Sequence, residues 1–189
     1  MMTIYYNHFI ETTARYLLNL KDGGTGAAAR VAIYARLSRN PGGLDVNTSI
    51  QVTECLEEAL HYVRERGLRA KVIAIFEEND IGASSYSKKE RPDYHGLLEL
   101  VKGNKVDVIF ATEVERLMRQ PTEAEQLIDL AAATDLREIH LTSKDGYELS
   151  TPSGIYGLRQ AVNLAERESR KTSERLRRKL ADRARNGQT

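Results

Sequence analysis

The stretch Arg30–Ser38, RVAIYARLS, opens on an apolar run (Val31, Ala32, Ile33) and closes on Tyr34, Arg36 and Ser38. A short apolar run of this kind reads as a buried strand. Side chains alternate faces along a strand, so Tyr34, Arg36 and Ser38 point the same way. A hydroxyl on a rigid mount beside a guanidinium suits attack on an anion. Taken alone, the stretch reads first as a strand running into a polar loop. Residues farther along the chain reverse that order.

After the strand, RNPGGLDVNT is a Gly/Pro turn segment, and a helix is expected from Thr48 to Arg66. Its apolar face is read as Ile50, Leu56, Ala59, Leu60 and Val63, with Gly67 as its stop. KVIAIF (71–76) is a second strand, 77–90 a polar loop, Pro92–Lys102 a short helix and VDVIFA (106–111) a third strand. Glu113–Gln120 is a charged turn, Thr122–Thr134 a helix and Glu138–Thr142 a fourth strand. Strands alternating with helices predict an α/β fold: a mostly parallel sheet of four to five strands flanked by helices. In such sheets functional groups gather beyond the carboxyl ends of the strands, where Ser38, the 77–90 loop and the 113–120 turn all lie. They are expected to converge.

The last element differs in kind. Thr151-Pro152 supplies an N-cap and a proline at the first helical position, and no further proline occurs before Arg185. A helix of more than 30 residues is too long for its domain, so its apolar half (Ile155, Leu158, Val162, Ala165) is expected to bury against a second subunit. The chain's net charge of +1 conceals a gradient, because residues 166–189 hold nine Lys/Arg against four acids. Such a tail is an electrostatic footprint for a polyanion. Cys55 is the single cysteine of the 189 residues, which fits a reducing cytoplasm. No apolar run has the length of a membrane span. Residues 1–29, ending in KDGGTGAAA, read as an extension and linker ahead of a domain over 30–150 and the helix over 151–187.

At this point the order of motifs resembles the catalytic domain of the serine recombinases, the resolvase/invertase family, and most of all the large serine integrases of actinobacteria and their phages. The motifs are YARLS (34–38), Gln51 at the start of the first helix, NDIGASS–RPDY (79–94), ERLMR (115–119), TPSG (151–154) and SERLRR (173–178). They cover roughly Arg30 to Asn186.

The resemblance implies site-specific DNA recombination, as integration or excision, with Ser38 as nucleophile forming a 5′-phosphoserine link and no metal, ATP or other cofactor. A serine hydroxyl needs activation, and phosphoryl transfer needs its developing charge neutralised. Arg36, Arg116 and Arg119 can supply that charge, because guanidinium forks match phosphate oxygens. Arg116 and Arg119 would share a face if their turn is helical. The resemblance carries over Arg91 as an arginine near the phosphate. Gln51 and Glu115 are carried over as catalytic positions, and Tyr34, Ser84 and Arg175 as DNA-phosphate contacts. Glu174 falls on a regulatory position, although a surface role suits it equally. The implied partners are double-stranded attachment sites, a homodimer that pairs into a tetramer through the long helix, and a directionality factor. The family's sequence-reading domain follows that helix, so the chain is expected to be a fragment lacking it.

Two positions depart from the family. Glu115 stands where aspartate is usual, and Gly82 replaces a loop serine, with Ser84 two residues on. These departures favour the alternative of a non-catalytic module that oligomerises or bridges DNA. A phosphate-binding α/β protein would leave the basic helix unexplained. His8, His61, His95 and His140 are not at metal-ligand spacing, and no GxxxxGK[ST] or GxGxxG follows a strand.

Overall fold

The computed structural model describes residues 28–36, 46–78 and 91–185, with the side chains of 46–49, 144 and 145 excepted. Ser38, Gly82, Ser84 and the N-terminal extension lie outside the described residues. Five strands form one sheet in the order β2-β1-β3-β4-β5: β1 (Ala29–Arg36), β2 (Ala70–Glu78), β3 (Val108–Ala111), β4 (Glu138–Leu141) and β5 (Lys144–Glu148). The first four are parallel, and β5 returns antiparallel along β4. The chain runs from β1 outward to β2, then crosses back to β3 on the other side of β1. The end of β1 is therefore a topological switch point.

Both faces of β1 are buried, which is why its sequence is almost continuously apolar. Val31, Ile33 and Ala35 pack against α1 (Val46–Arg66). Ala32 and Tyr34 face the opposite layer, built from α2 (Pro92–Lys102), the short α3 (Val114–Leu117), α4 (Pro121–Ala133) and the start of α5 (Pro152–Arg185). The buried stripe of α1 is Val52, Cys55, Leu56, Ala59, Tyr62 and Val63, a clean 3.6-residue repeat. Ile50 falls off that stripe and is exposed, and Leu60 is half-buried, so the buried face is rotated from the expected one. Gly67 ends α1 with φ +59°, and the Leu68 N–H returns to the Val63 carbonyl.

The long helix starts where the sequence placed it. Thr151 Oγ1 accepts from the Gly154 N–H at 3.1 Å. Gly154 sits so close to the end of β5 that a Cβ there would lie 2.0 Å from the Glu148 carbonyl oxygen. The apolar half of the helix packs on its own domain and not, as expected, on a second subunit: Leu158 and Val162 are buried in the main core, with Ile155 packed against it. Beyond them the helix runs exposed, and Leu176 and Leu180 keep more than half of their surface in water. No described helix is long and apolar enough to cross a membrane.

On the α1 side, His140 of β4 is held at Nε2 by Glu58 of α1 (2.9 Å) and at Nδ1 by Glu138 (3.1 Å). Glu138 also accepts from Tyr62 and Arg66 of α1. Burial disfavours the charged ring, but the hydrogen bonds to Glu138 and Glu58 outweigh it and raise the imidazolium above its ordinary 6.5. The resulting stabilisation is complete below that ordinary value and is lost as pH rises through the raised one. Urea unfolding between pH 5.5 and pH 8.5 should show a loss of stability in the native chain that is absent from His140→Gln.

Candidate active site at the carboxyl end of β1

Arg36 is the last residue of β1 and is 1% exposed. Its Nε donates to the Arg116 carbonyl (3.0 Å) and its Nη2 to the Glu115 carbonyl (2.6 Å). Arg116 answers with Nη1 on the Arg36 carbonyl at 3.4 Å. The strand end and the α3 turn are thereby clasped together, as convergence of the strand ends requires. Gln51 belongs to the same clasp, since its Oε1 accepts the Arg36 backbone N–H at 3.1 Å. Ser38, outside the described residues, comes two positions later.

Burial, then the like charges of Arg119 and Arg91, push the Arg36 guanidinium down to about 10, with Arg116 adding to the effect. It still carries its proton at neutral pH, in surroundings that favour an anion. Burial and the charge of Arg91 also lower Arg119. The Nε and Nη2 atoms of Arg119 are buried and have no hydrogen-bond partner among the described residues.

Arg116 and Arg119 do not share a helical face. The helix ends at Leu117, and Met118 is extended (φ −122°, ψ 128°), which directs Arg119 by the strand-like backbone before α4. Glu115 is exposed on α3. Burial, together with a hydrogen bond to Glu115, makes the Glu113 carboxyl hold its proton more tightly than usual. The two acids thus lie side by side within the influence of Arg116.

Tyr34 and Arg91, expected near the DNA phosphate, are both placed inside the domain. Tyr34 is fully buried, and its hydroxyl donates to Glu78 while accepting from Arg91 Nη2 at 2.6 Å. Arg91 is 5% exposed and turned inward. Its Nε bonds Glu78 (3.0 Å), its Nη1 both oxygens of Glu123 (2.9 Å each), and its Nη2 the Leu117 carbonyl (2.9 Å) as well as Tyr34. All three guanidinium nitrogens are therefore engaged within the protein. Burial opposes the charge, but Tyr34, Glu123 and Glu78 outweigh it and raise Arg91. Arg175 is exposed on α5, 13 residues and so about 20 Å of helix beyond the buried Val162. The fold of one chain does not bring it to the cluster.

Two carboxylates that organise this cluster escaped the sequence reading. Glu78 is expected in a polar loop, yet β2 continues through it. Its Oε1 accepts from the Tyr94 N–H at 3.2 Å, serving the first turn of α2, whose own N-cap residue Arg91 makes no side-chain cap. Glu123 stands in the first turn of α4, three residues after the N-cap Gln120, and its Oε2 accepts from the Arg119 N–H at 2.6 Å. The capping-box offset, an acid three residues into a helix that begins with proline, was the available signal.

The family model "Resolvase, N terminal domain" matches residues 31–189. Among solved structures, the fold is similar to that of a resolvase family site-specific recombinase from Streptococcus pneumoniae, at 16% identity and TM-score 0.51 over 83% of this chain and 99% of that one. Similarity extends to the N-terminal catalytic domain of TP901-1 integrase, at 20% identity and TM-score 0.48 over 74% of this chain and 97% of that one. The C-terminal catalytic domain of ISC1926 TnpA, an IS607-like serine recombinase, is similar at 24% identity and TM-score 0.44, over 60% and 67% respectively. No curated protein matches. With the family model spanning nearly everything from β1 onward, the chain belongs to the resolvase family of serine site-specific recombinases and carries their catalytic domain.

Proposed function

We propose that this domain breaks and rejoins DNA at paired sites through a phosphoserine on Ser38, in integration or excision. The Ser38 oxygen attacks the phosphorus and gives up its proton. The bond from phosphorus to the 3′ oxygen breaks, and that oxygen leaves as a 3′-hydroxyl once protonated. The 5′ phosphate stays on the serine. Rejoining is the same displacement in reverse, with a 3′-hydroxyl attacking and Ser38 leaving, so the bond energy is conserved without ATP.

The observation that carries this reading is the open guanidinium edge of Arg119, buried and unpartnered among the described residues within a cluster of like charges. Such an edge suits two phosphate oxygens. Arg36 and Arg116 add charge at the strand end that precedes Ser38. Gln51 fixes the backbone there, and the Glu115–Glu113 pair handles a proton or orients Arg116. Ser84 and Arg175 are assigned to DNA-phosphate contacts.

The exposed half of α5, basic with a thin Leu176–Leu180 stripe, fits a helix that meets DNA and a second copy of the chain. The assembly proposed is a dimer pairing into a tetramer, with a directionality factor as a further partner. A sequence-reading domain beyond α5 would deliver the site, and binding should weaken steeply with salt.

The deciding experiment uses the recombinase and a site-bearing DNA nicked to trap cleavage, run on a denaturing gel in chelator. A covalent adduct should form and vanish in Ser38→Ala. Retained DNA binding without any adduct from the native protein would instead establish the non-catalytic module. Arg119→Lys should lower the rate of adduct formation by about 10²-fold or more, since a point charge cannot replace a fork aimed at the transition state. Native-like unfolding of this variant would assign the loss to chemistry.

A further inference from the structure

Several arginines crowd the end of β1, and two carboxylates lie among them. Which arginine each carboxylate takes decides which guanidinium stays open for a ligand. Glu78 spends its oxygens on Arg91 Nε, the Tyr34 hydroxyl and the Tyr94 N–H. Glu123 places both oxygens on Arg91 Nη1 and one of them also on the Arg119 backbone N–H. Neither is bonded to the Nε–Nη2 edge of Arg119, although both exert a favourable charge on its guanidinium. Every guanidinium nitrogen of Arg91 has a partner, and the Nε and Nη2 of the neighbouring Arg119 have none among the described residues.

From this we infer that Glu123 is a positioning residue for the phosphate seat, and that Arg91 acts by restraining Glu123 rather than by touching phosphate. The inference rests on the reading that the cluster receives a DNA phosphate. Glu123 tethers Arg119 through its backbone while Arg91 occupies the carboxylate. The Nε–Nη2 edge of Arg119 is thereby kept clear. Without Arg91, the carboxylate is released within reach of the Arg119 guanidinium and becomes an internal competitor for the phosphate.

The test tracks the arginine Nε–H resonances by NMR while inorganic phosphate is added. In the native protein the Arg119 signal should move and the Arg91 signal should stay, because Arg91 Nε is already bonded to Glu78. In Arg91→Met, the Arg119 signal should be displaced before any phosphate is present and should respond at least tenfold more weakly. Adding Glu123→Gln to Arg91→Met should restore the response, since the amide keeps an acceptor for the Arg119 N–H but brings no competing charge. A purely structural role for Arg91 predicts no such rescue.

A native Arg91 signal that moves with Arg119, or a folded double variant that stays unresponsive, overturns the inference and leaves the phosphate site standing. No response from any arginine overturns both. If Arg91→Met does not fold, adduct formation in two single variants decides. Glu123→Ala should be slower by about 10²-fold, the scale of a displaced catalytic group, and Glu123→Gln by less than about tenfold. Equal rates in the two variants overturn the inference.

Discussion

A guanidinium buried as deeply as that of Arg91 is tolerated only where every donor is answered, and that requirement ties the elements around it together. Its partners come from the middle of β1 (Tyr34), the end of β2 (Glu78), the end of α3 (Leu117) and the first turn of α4 (Glu123), while Arg91 itself leads into α2. Losing one partner of such a group typically costs about 3–5 kcal/mol, because the other is left charged and dry. The aromatic faces add to the restraint, with the guanidinium carbon 4.0 Å from the Tyr94 ring centre. Geometry at the strand ends is therefore set by a polar lock rather than by apolar packing alone.

That lock lies beside a second, weaker one. Arg36 and Arg116 exchange hydrogen bonds with each other's backbone, and Gln51 closes the exchange from α1. The two differ in what they leave over. Around Arg91 the carboxylates balance the cation. The Arg36 side chain instead donates to the carbonyls of Glu115 and Arg116, which draw the α3 turn onto the strand end. Arg119, Arg91 and Arg116 all bring like charge to bear on Arg36, at the strand end from which the chain continues toward Ser38.

The fold was legible because its strands are buried on both faces and its helices are punctuated by Pro92, Pro121, Gly67 and Thr151-Pro152. Such signals are local, and the bounds of α2 match the sequence reading to the residue. The antiparallel β5 gave no comparable signal, since KDGYE is polar and lies against β4 through register rather than burial. The rotated face of α1 shows another limit. Ile50 is apolar, but burial keeps to the 3.6-residue stripe set by Val52 and Cys55. At the site, sequence order brought Arg36, Arg116 and Arg119 together in name, while their division of labour depends on long-range pairs. Glu78 and Glu123 meet at Arg91 only after folding, and a carboxylate near a strand end looks in sequence like any solvated acid.

On the proposed reading, phosphate chemistry here needs positive charge that is fixed before the substrate arrives, and chemically identical guanidinium groups are unequally satisfied to provide it. If every arginine were paired, a phosphate would have to displace a carboxylate and would gain little. If none were, mutual repulsion at short range in a low dielectric would splay the strand ends apart. Pairing Arg91 with two carboxylates while leaving an edge of Arg119 without a hydrogen bond among the described residues is a compromise between these limits. Burial, then the like charges of its neighbours, push the Arg36 guanidinium down, and a phosphate hydrogen-bonded through two oxygens would relieve the repulsion. On the same reading, an edge that binds more tightly as negative charge develops on the phosphate would favour the reacting phosphate over the resting one.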